Sequence, residues 1–237
     1  MKESQYLREV RITKEIPRGN DLMVIVIISI LMIMCGCTGE GKVSGKLVSE
    51  VYGSGYGNWK EAYATYIKES SCEEKGYHYA LIYLDEDEKP ELYVETNCSA
   101  GGEQVLCYHE DKLHILQLGR IGSKYIPNKG LIYNNCGHMD YYPVYIYELY
   151  EGDFYLIGEG MWGGLDWEKG PELNEDGEPD YQFEWEGKRY TEENFYAEID
   201  KIFPMDEGIC PSEWYPYDEM WEMLSSSPNR WTHNMDN

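Results

Sequence analysis

From residue 77 onward the chain alternates apolar and polar positions in short bursts. "YHYALIYL" (77–84), "ELYVET" (91–96), "QVLCYHEDKLHILQL" (104–118), "KGLIYN" (129–134) and "YYPVYIYELYEGDFYLIGEG" (141–160) are rich in Tyr, Val, Ile and Leu. A period of two sends successive side chains to opposite faces, so these bursts predict strands. Short polar turns break them at Glu110-Asp111-Lys112, Glu151-Gly152-Asp153 and, in "YQFEWEGKRY", at Glu186-Gly187-Lys188. Separations this short join antiparallel strands, because a parallel pair needs a long crossover. On either side the period changes. "WKEAYATYIK" (59–68) puts Trp59, Ala62, Tyr63, Tyr66 and Ile67 on one helical face, with Asn58 as N-cap. Thr191 caps a second helix in "TEENFYAEIDKIF", and "PSEWYPYDEMWEMLSSS" predicts a weaker third. Residues 161–179 show no periodicity. The expected class is α+β: a predominantly antiparallel β meander of roughly eight strands, an open sheet or a partial propeller-like arrangement, with flanking helices. The expected domain spans 58–227, followed by a frayed tail at 228–237.

One apolar run has neither period. Residues 22–34 are apolar except Ser29, too few for the roughly 20 that cross a bilayer. They suit the apolar region of an export signal, behind Lys2, Arg8, Arg11, Lys14 and Arg18. The run ends in Met34-Cys35-Gly36-Cys37, which resembles the lipobox of bacterial lipoproteins. That resemblance implies removal of 1–36, acylation of Cys37, a flexible tether over 37–57, and a chain held by lipid on the extracellular face of the cell membrane.

Charge narrows the partners. The 201 residues after position 36 keep 15 of the 20 Lys and Arg and 40 of the 44 Asp and Glu. Such a body repels nucleic acid and leaves the lipid anchor as the expected route to a membrane. The 23 Tyr and 7 Trp suit strands with one wet face and flat ligand contacts. No cysteine pair has zinc-finger spacing. "CSAGGEQVLC" reads as a hairpin turning at Ala100-Gly101-Gly102, which makes Cys98 and Cys107 the expected disulfide.

Three stretches carry candidate chemistry. "LDEDEKPELYV" (84–94) resembles the D-x-D-G-x-x-E-L loops of FG-GAP and VCBS-type surface repeats, with Tyr83 at their first Asp and Glu88 at their Gly. The resemblance implies Ca²⁺ held by Asp85, Asp87 and Glu91, since a hard cation takes 6–8 oxygens. "LNEDGEPDYQF" (173–183) aligns with it position by position. Trp162 and Trp167, with Asp166, form the expected ligand platform for a glycan or protein. Cys136, His138 and Asp140 are the one arrangement resembling a nucleophile, base and orienter. "YALIYLDEDEKPELYV", "GHMDYYPVYIYEL" and "YQFEWEGKRYTEENF" resemble uncharacterised surface lipoproteins of Gram-positive anaerobes, which implies location and fold. The expected function is therefore a lipid-anchored, non-enzymatic surface module binding a cell-wall, glycan or protein ligand. The alternatives are a surface hydrolase acting on glycan or wall material and a calcium-ordered accessory protein.

Overall fold

The structure is a computed structural model that describes residues 45–70, 76–164 and 170–226. It is α+β and antiparallel, and its main strands divide into two sheets rather than one meander. The five-stranded sheet has the order β2-β6-β5-β4-β3, from β2 (Glu50–Ser54), β3 (His78–Ile82), β4 (Glu91–Glu95), β5 (Glu103–His109) and β6 (Lys112–Leu118). The seven-stranded sheet takes β7 (Lys124–Ile126), β8 (Leu131–Asn135), β9 (Tyr141–Tyr150), β10 (Asp153–Gly163), β13 (Gln182–Trp185) and β14 (Lys188–Tyr190), with β1 (Lys46–Leu47) on β10. A small hairpin, β11 (Glu172–Leu173) and β12 (Pro179–Asp180), stands apart. The three predicted hairpins turn through Glu110 and Asp111, Glu151 and Gly152, and Glu186 and Gly187, all with positive φ. That geometry fits the twist of the flanking strands.

The sheets stack face to face, with helices outside. Ala80, Ile82, Tyr93, Val105, Leu116 and Leu118 from one sheet pack on Ile132, Tyr147, Leu149 and Phe154 from the other. On the outer face of the five-stranded sheet, Leu92, Val94, Leu106 and Leu113 meet α1 (Trp59–Glu69) and α3 (Tyr217–Ser225). Phe195 and Ile199 of α2 (Glu192–Asp200) cover the seven-stranded sheet together with Val144, Ile146 and Trp185. Asn58 and Thr191 cap α1 and α2 as their spacing predicts. Leu92 and Val94 thus face the helices while Tyr93 between them faces the other sheet. The central strands therefore lack the wet face that the tyrosine content suggests.

Two straps close the sandwich. Residues 46–54, expected within a flexible tether, instead form β1 on one sheet and β2 on the other. They are drawn in because Val48 and Ser49 donate backbone N–H to the Phe154 carbonyl. On the opposite side, residues 209–215 cover both outer strands, with bridges Tyr125–Ile209 and Tyr79–Tyr215. Trp214 of this strap packs edge-on against Tyr93 at 5.7 Å.

The crossover between the sheets, residues 119–123, is clamped by a buried carboxylate. Glu103, 2% exposed, accepts from the Tyr93 hydroxyl at 2.8 Å, Gly122 N–H at 2.9 Å and Ser123 N–H at 3.0 Å. Asn134 on β8 completes it, donating to Ser123 Oγ at 2.8 Å and accepting Gly119 N–H at 3.0 Å. Burial, and then the charge of Glu103, pushes the Tyr93 phenol well above its ordinary value. Glu103→Ala would strand three donors, so urea denaturation should show a loss of about 3–5 kcal/mol. A loss under about 1 kcal/mol would show that the clamp does not carry the stacking.

Candidate functional site

The turn between β3 and β4 brings the expected acids together. One carboxylate oxygen from each of Asp85, Asp87 and Glu91 lies within 4.8 Å of the others. The turn builds this itself: Asp87 N–H bonds Asp85 Oδ1 at 2.9 Å and Lys89 N–H bonds Asp87 Oδ1 at 2.7 Å. Lys89 Nζ then closes on Asp87 Oδ2 at 2.9 Å. Glu91 opens β4 and points inward, 2% exposed, accepting Leu84 N–H at 2.9 Å. Burial first, then the charges of Asp85 and Asp87, push its carboxyl up to about 8 against the opposing Leu84 bond. At neutral pH a proton on Glu91 and the ammonium of Lys89 thus offset much of the cluster's charge. Burial also raises Asp85 and holds the neighbouring Cys107 thiol well above its ordinary value. The aligned stretch 173–183 repeats only the turn: Asp176 N–H bonds Asn174 Oδ1 at 2.9 Å, while Asp180, at the Glu91 position, is exposed.

The expected disulfide is not formed. β4 and β5 pair Leu92 with Leu106 and Glu95 with Glu103, which puts Cys98 in the turn and Cys107 opposite the start of β4. Both are free thiols, Cys98 exposed and Cys107 buried against the other sheet. The turn is longer than three residues because Thr96 takes it up, bonding the carbonyls of Cys98 and Gly102 through Oγ1.

Cys136, His138 and Asp140 lie at a tight turn. His138 pairs its backbone with Tyr141, and Asp140 accepts the Tyr181 hydroxyl at 2.6 Å. That bond pushes Tyr181 up to about 12 and commits one Asp140 oxygen to a phenol. Burial raises the Cys136 thiol, which suits a protonated sulfur rather than a nucleophile.

Trp162 is built into a ladder across the seven-stranded sheet. Its cross-strand partners are Tyr142 and Phe183, parallel to it at 3.9 and 6.1 Å, with Tyr181 edge-on at 5.7 Å. Neighbours therefore hold the indole where an open platform was expected. Asp166, Trp167 and Cys37 lie outside the described residues.

A cleft that sequence reasoning missed opens where β2 leaves the edge of β6. β2 pairs with β6 only from Lys112 to Ile115. Beyond that, a cavity of about 600 Å³ opens around the free edge of β6, with Tyr145 and Tyr147 on its inter-sheet side and Tyr52, Gln104 and Gln117 on the side of the helices. A relay fixes the amides: the Tyr66 hydroxyl bonds Gln104 Oε1, Gln104 Nε2 donates to Gln117 Oε1 at 2.8 Å, and Gln117 Nε2 donates to the Glu103 carbonyl at 2.9 Å. Each amide keeps a donor or acceptor in reserve. The available signal was the pairing of Gln104 with Gln117 across β5 and β6.

No known protein family, curated protein or solved structure matches the chain. Among the described residues no helix is long and apolar enough to cross a membrane.

Glu91 yields a signed pH dependence. Its folded value near 8 lies above the ordinary 4.5, so its contribution is complete below pH 4.5 and is lost as pH rises to 8. The full swing is on the order of 5 kcal/mol. Glu91→Gln should remove that slope from chemical denaturation and leave the variant the more stable protein at pH 8.5. Parallel pH profiles for the two proteins would refute this assignment.

Proposed function

We propose that the chain is a lipid-anchored surface module whose inter-sheet cleft binds a neutral carbohydrate. The observation that carries this is the 600 Å³ cleft, lined by Tyr52, Tyr145 and Tyr147 and by two amides, Gln104 and Gln117, held in fixed orientation. Sugar rings present apolar faces to aromatic rings and hydroxyls to amides and carboxylates, and this wall supplies all three. The cleft has no cationic side chain among its lining residues, and the chain carries a formal charge of −24, so an anionic ligand is repelled. The extracellular location rests on the signal-like run before Cys37 and on the acyl anchor that the lipobox resemblance implies. Glycan attached to the cell wall is then the ligand within reach. The protonated Cys136 thiol, and an Asp140 oxygen taken by Tyr181, weigh against a Cys-His hydrolase.

The test titrates neutral tetrasaccharides of N-acetylglucosamine and of glucose into the full chain by calorimetry. One of them should bind. Tyr145→Ala and the more exposed Tyr52→Ala should each weaken it at least about tenfold without lowering the melting midpoint by more than a few degrees. No binding by either sugar, or binding indifferent to both substitutions, overturns the reading. In cells, Cys37→Ala should move the protein from the detergent phase to the aqueous phase.

A calcium-ordered turn is the second reading, favoured by the convergence of Asp85, Asp87 and Glu91. A cation there must displace the proton on Glu91, so affinity should rise with pH. Millimolar Ca²⁺ should raise the melting midpoint more at pH 8.5 than at pH 6.5, and Asp87→Asn should abolish the shift. An equal shift at both values would place the ion elsewhere.

A further inference from the structure

Two of the openings in the sandwich lie at its rims. One, about 400 Å³ between the β5–β6 and β9–β10 turns, is lined by His109 and His114, and the buried His114 nitrogen is already paired with Asp153 at 2.8 Å. The other is the tyrosine cleft, and its amides still have hydrogen-bonding capacity to offer.

The backbone fixes the polarity of those amides. Gln117 Nε2 lies 2.9 Å from the Glu103 carbonyl and 3.0 Å from the Leu118 carbonyl. Only the NH₂ end of an amide can satisfy two carbonyl oxygens, so both of its protons are spent and the amide has one orientation. Gln117 Oε1 must then accept from Gln104 Nε2, at 2.8 Å, which turns Gln104 Oε1 toward the Tyr66 hydroxyl. Two functions are left over, one N–H on Gln104 and one lone pair on Gln117 Oε1. No protein group among the described residues takes either. They stand side by side on the cavity wall, on atoms 2.8 Å apart. Beside them are Tyr52, held edge-on by Tyr66 at 5.1 Å, and Glu50, which pairs with Ile115 where the β2–β6 ladder stops.

A donor and an acceptor this close sort neutral partners by shape. A secondary amide fits badly, because its planar trans unit sends N–H and C=O to opposite sides. Two hydroxyls on neighbouring ring carbons fit well, since their oxygens are roughly one hydrogen-bond length apart. On the carbohydrate reading of this cleft, which this step presupposes, we propose that Gln104 and Gln117 recognise an adjacent pair of free ring hydroxyls. Hexose glycans are thereby selected over acetamido glycans. One hydroxyl accepts the spare Gln104 proton, the other donates to Gln117 Oε1, and the sugar ring lies against Tyr52. Glu50, on the same wall, accepts a further hydroxyl. An acetamido group in place of either hydroxyl forfeits one of the two amide bonds.

The test compares, by calorimetry on the full chain, the glucose and N-acetylglucosamine tetrasaccharides linked through the hydroxyl opposite the anomeric carbon. The glucose chain carries an adjacent hydroxyl pair on every ring, and the acetamido chain carries one only on its terminal ring. The glucose chain should bind about tenfold more tightly. Gln104→Met, which keeps the side-chain length and loses the proton, should weaken the glucose chain about tenfold and bring the two affinities together. Gln104→Glu, of the same shape but with an acceptor for the donor, should do likewise, and both variants should melt within a few degrees of the parent. Equal binding of the two sugars, or tighter binding of the acetamido chain, overturns the diol assignment and leaves the carbohydrate reading standing. An unchanged preference for the glucose chain in both variants overturns it as well. Failure of both sugars to bind the parent overturns the two together.

Discussion

The architecture depends on one buried carboxylate. Glu103 lies between the sheets and would be costly there alone, because an unpaired buried acid forfeits its hydration. Three donors make it tolerable, and two of them are the backbone of the crossover linking β6 to β7. The acid therefore closes only when the crossover takes one path, which sets the seven-stranded sheet over the inner face of the other. Asn134 repeats this logic from β8, reaching Gly119 and Ser123. A fully connected polar group in a dry layer fixes relative position in a way that non-directional apolar packing does not.

Stacking decides what each strand position does. Along β5, Val105 and Cys107 enter the inter-sheet layer while Leu106 turns to the helices. With both faces taken, open cavities are left to the rims, where pairing ends. The tyrosine cleft lies where β2 runs out on β6, and the histidine cavity lies where two hairpin tips meet. The straps at 46–54 and 209–215 shape these rims as they cover strand edges, a device that also blunts edge-to-edge association.

Glu91 and Glu103 are both 2% exposed, and their surroundings treat them differently. Glu103 meets three donors, the Tyr93 hydroxyl and two backbone N–H groups of the crossover. Glu91 has the Leu84 N–H and two acids beside it, so its proton is retained. Expelling that proton takes higher pH or a cation.

The acidic turn was legible because its geometry is local. Asp85, Asp87 and Lys89 meet through bonds spanning two residues, which any reader of turn chemistry can place. Helix caps at Asn58 and Thr191 and the hairpin turns were legible for the same reason. The stacking around Trp162 was not legible because its neighbours arrive from β9 and β13, and Cys98 and Cys107 were misread because register depends on how Thr96 winds the turn. The cleft gathers residues from Val48 to Leu156 and the cavity from His109 to Asp153, and no spacing rule links them. Sequence by itself determined the α+β class, the antiparallel pairing and the turns, all products of backbone periodicity and near-neighbour bonds. Only tertiary structure decided that the strands form two stacked sheets and which side chains face each other across them. Those contacts depend on buried polar groups finding partners far along the chain.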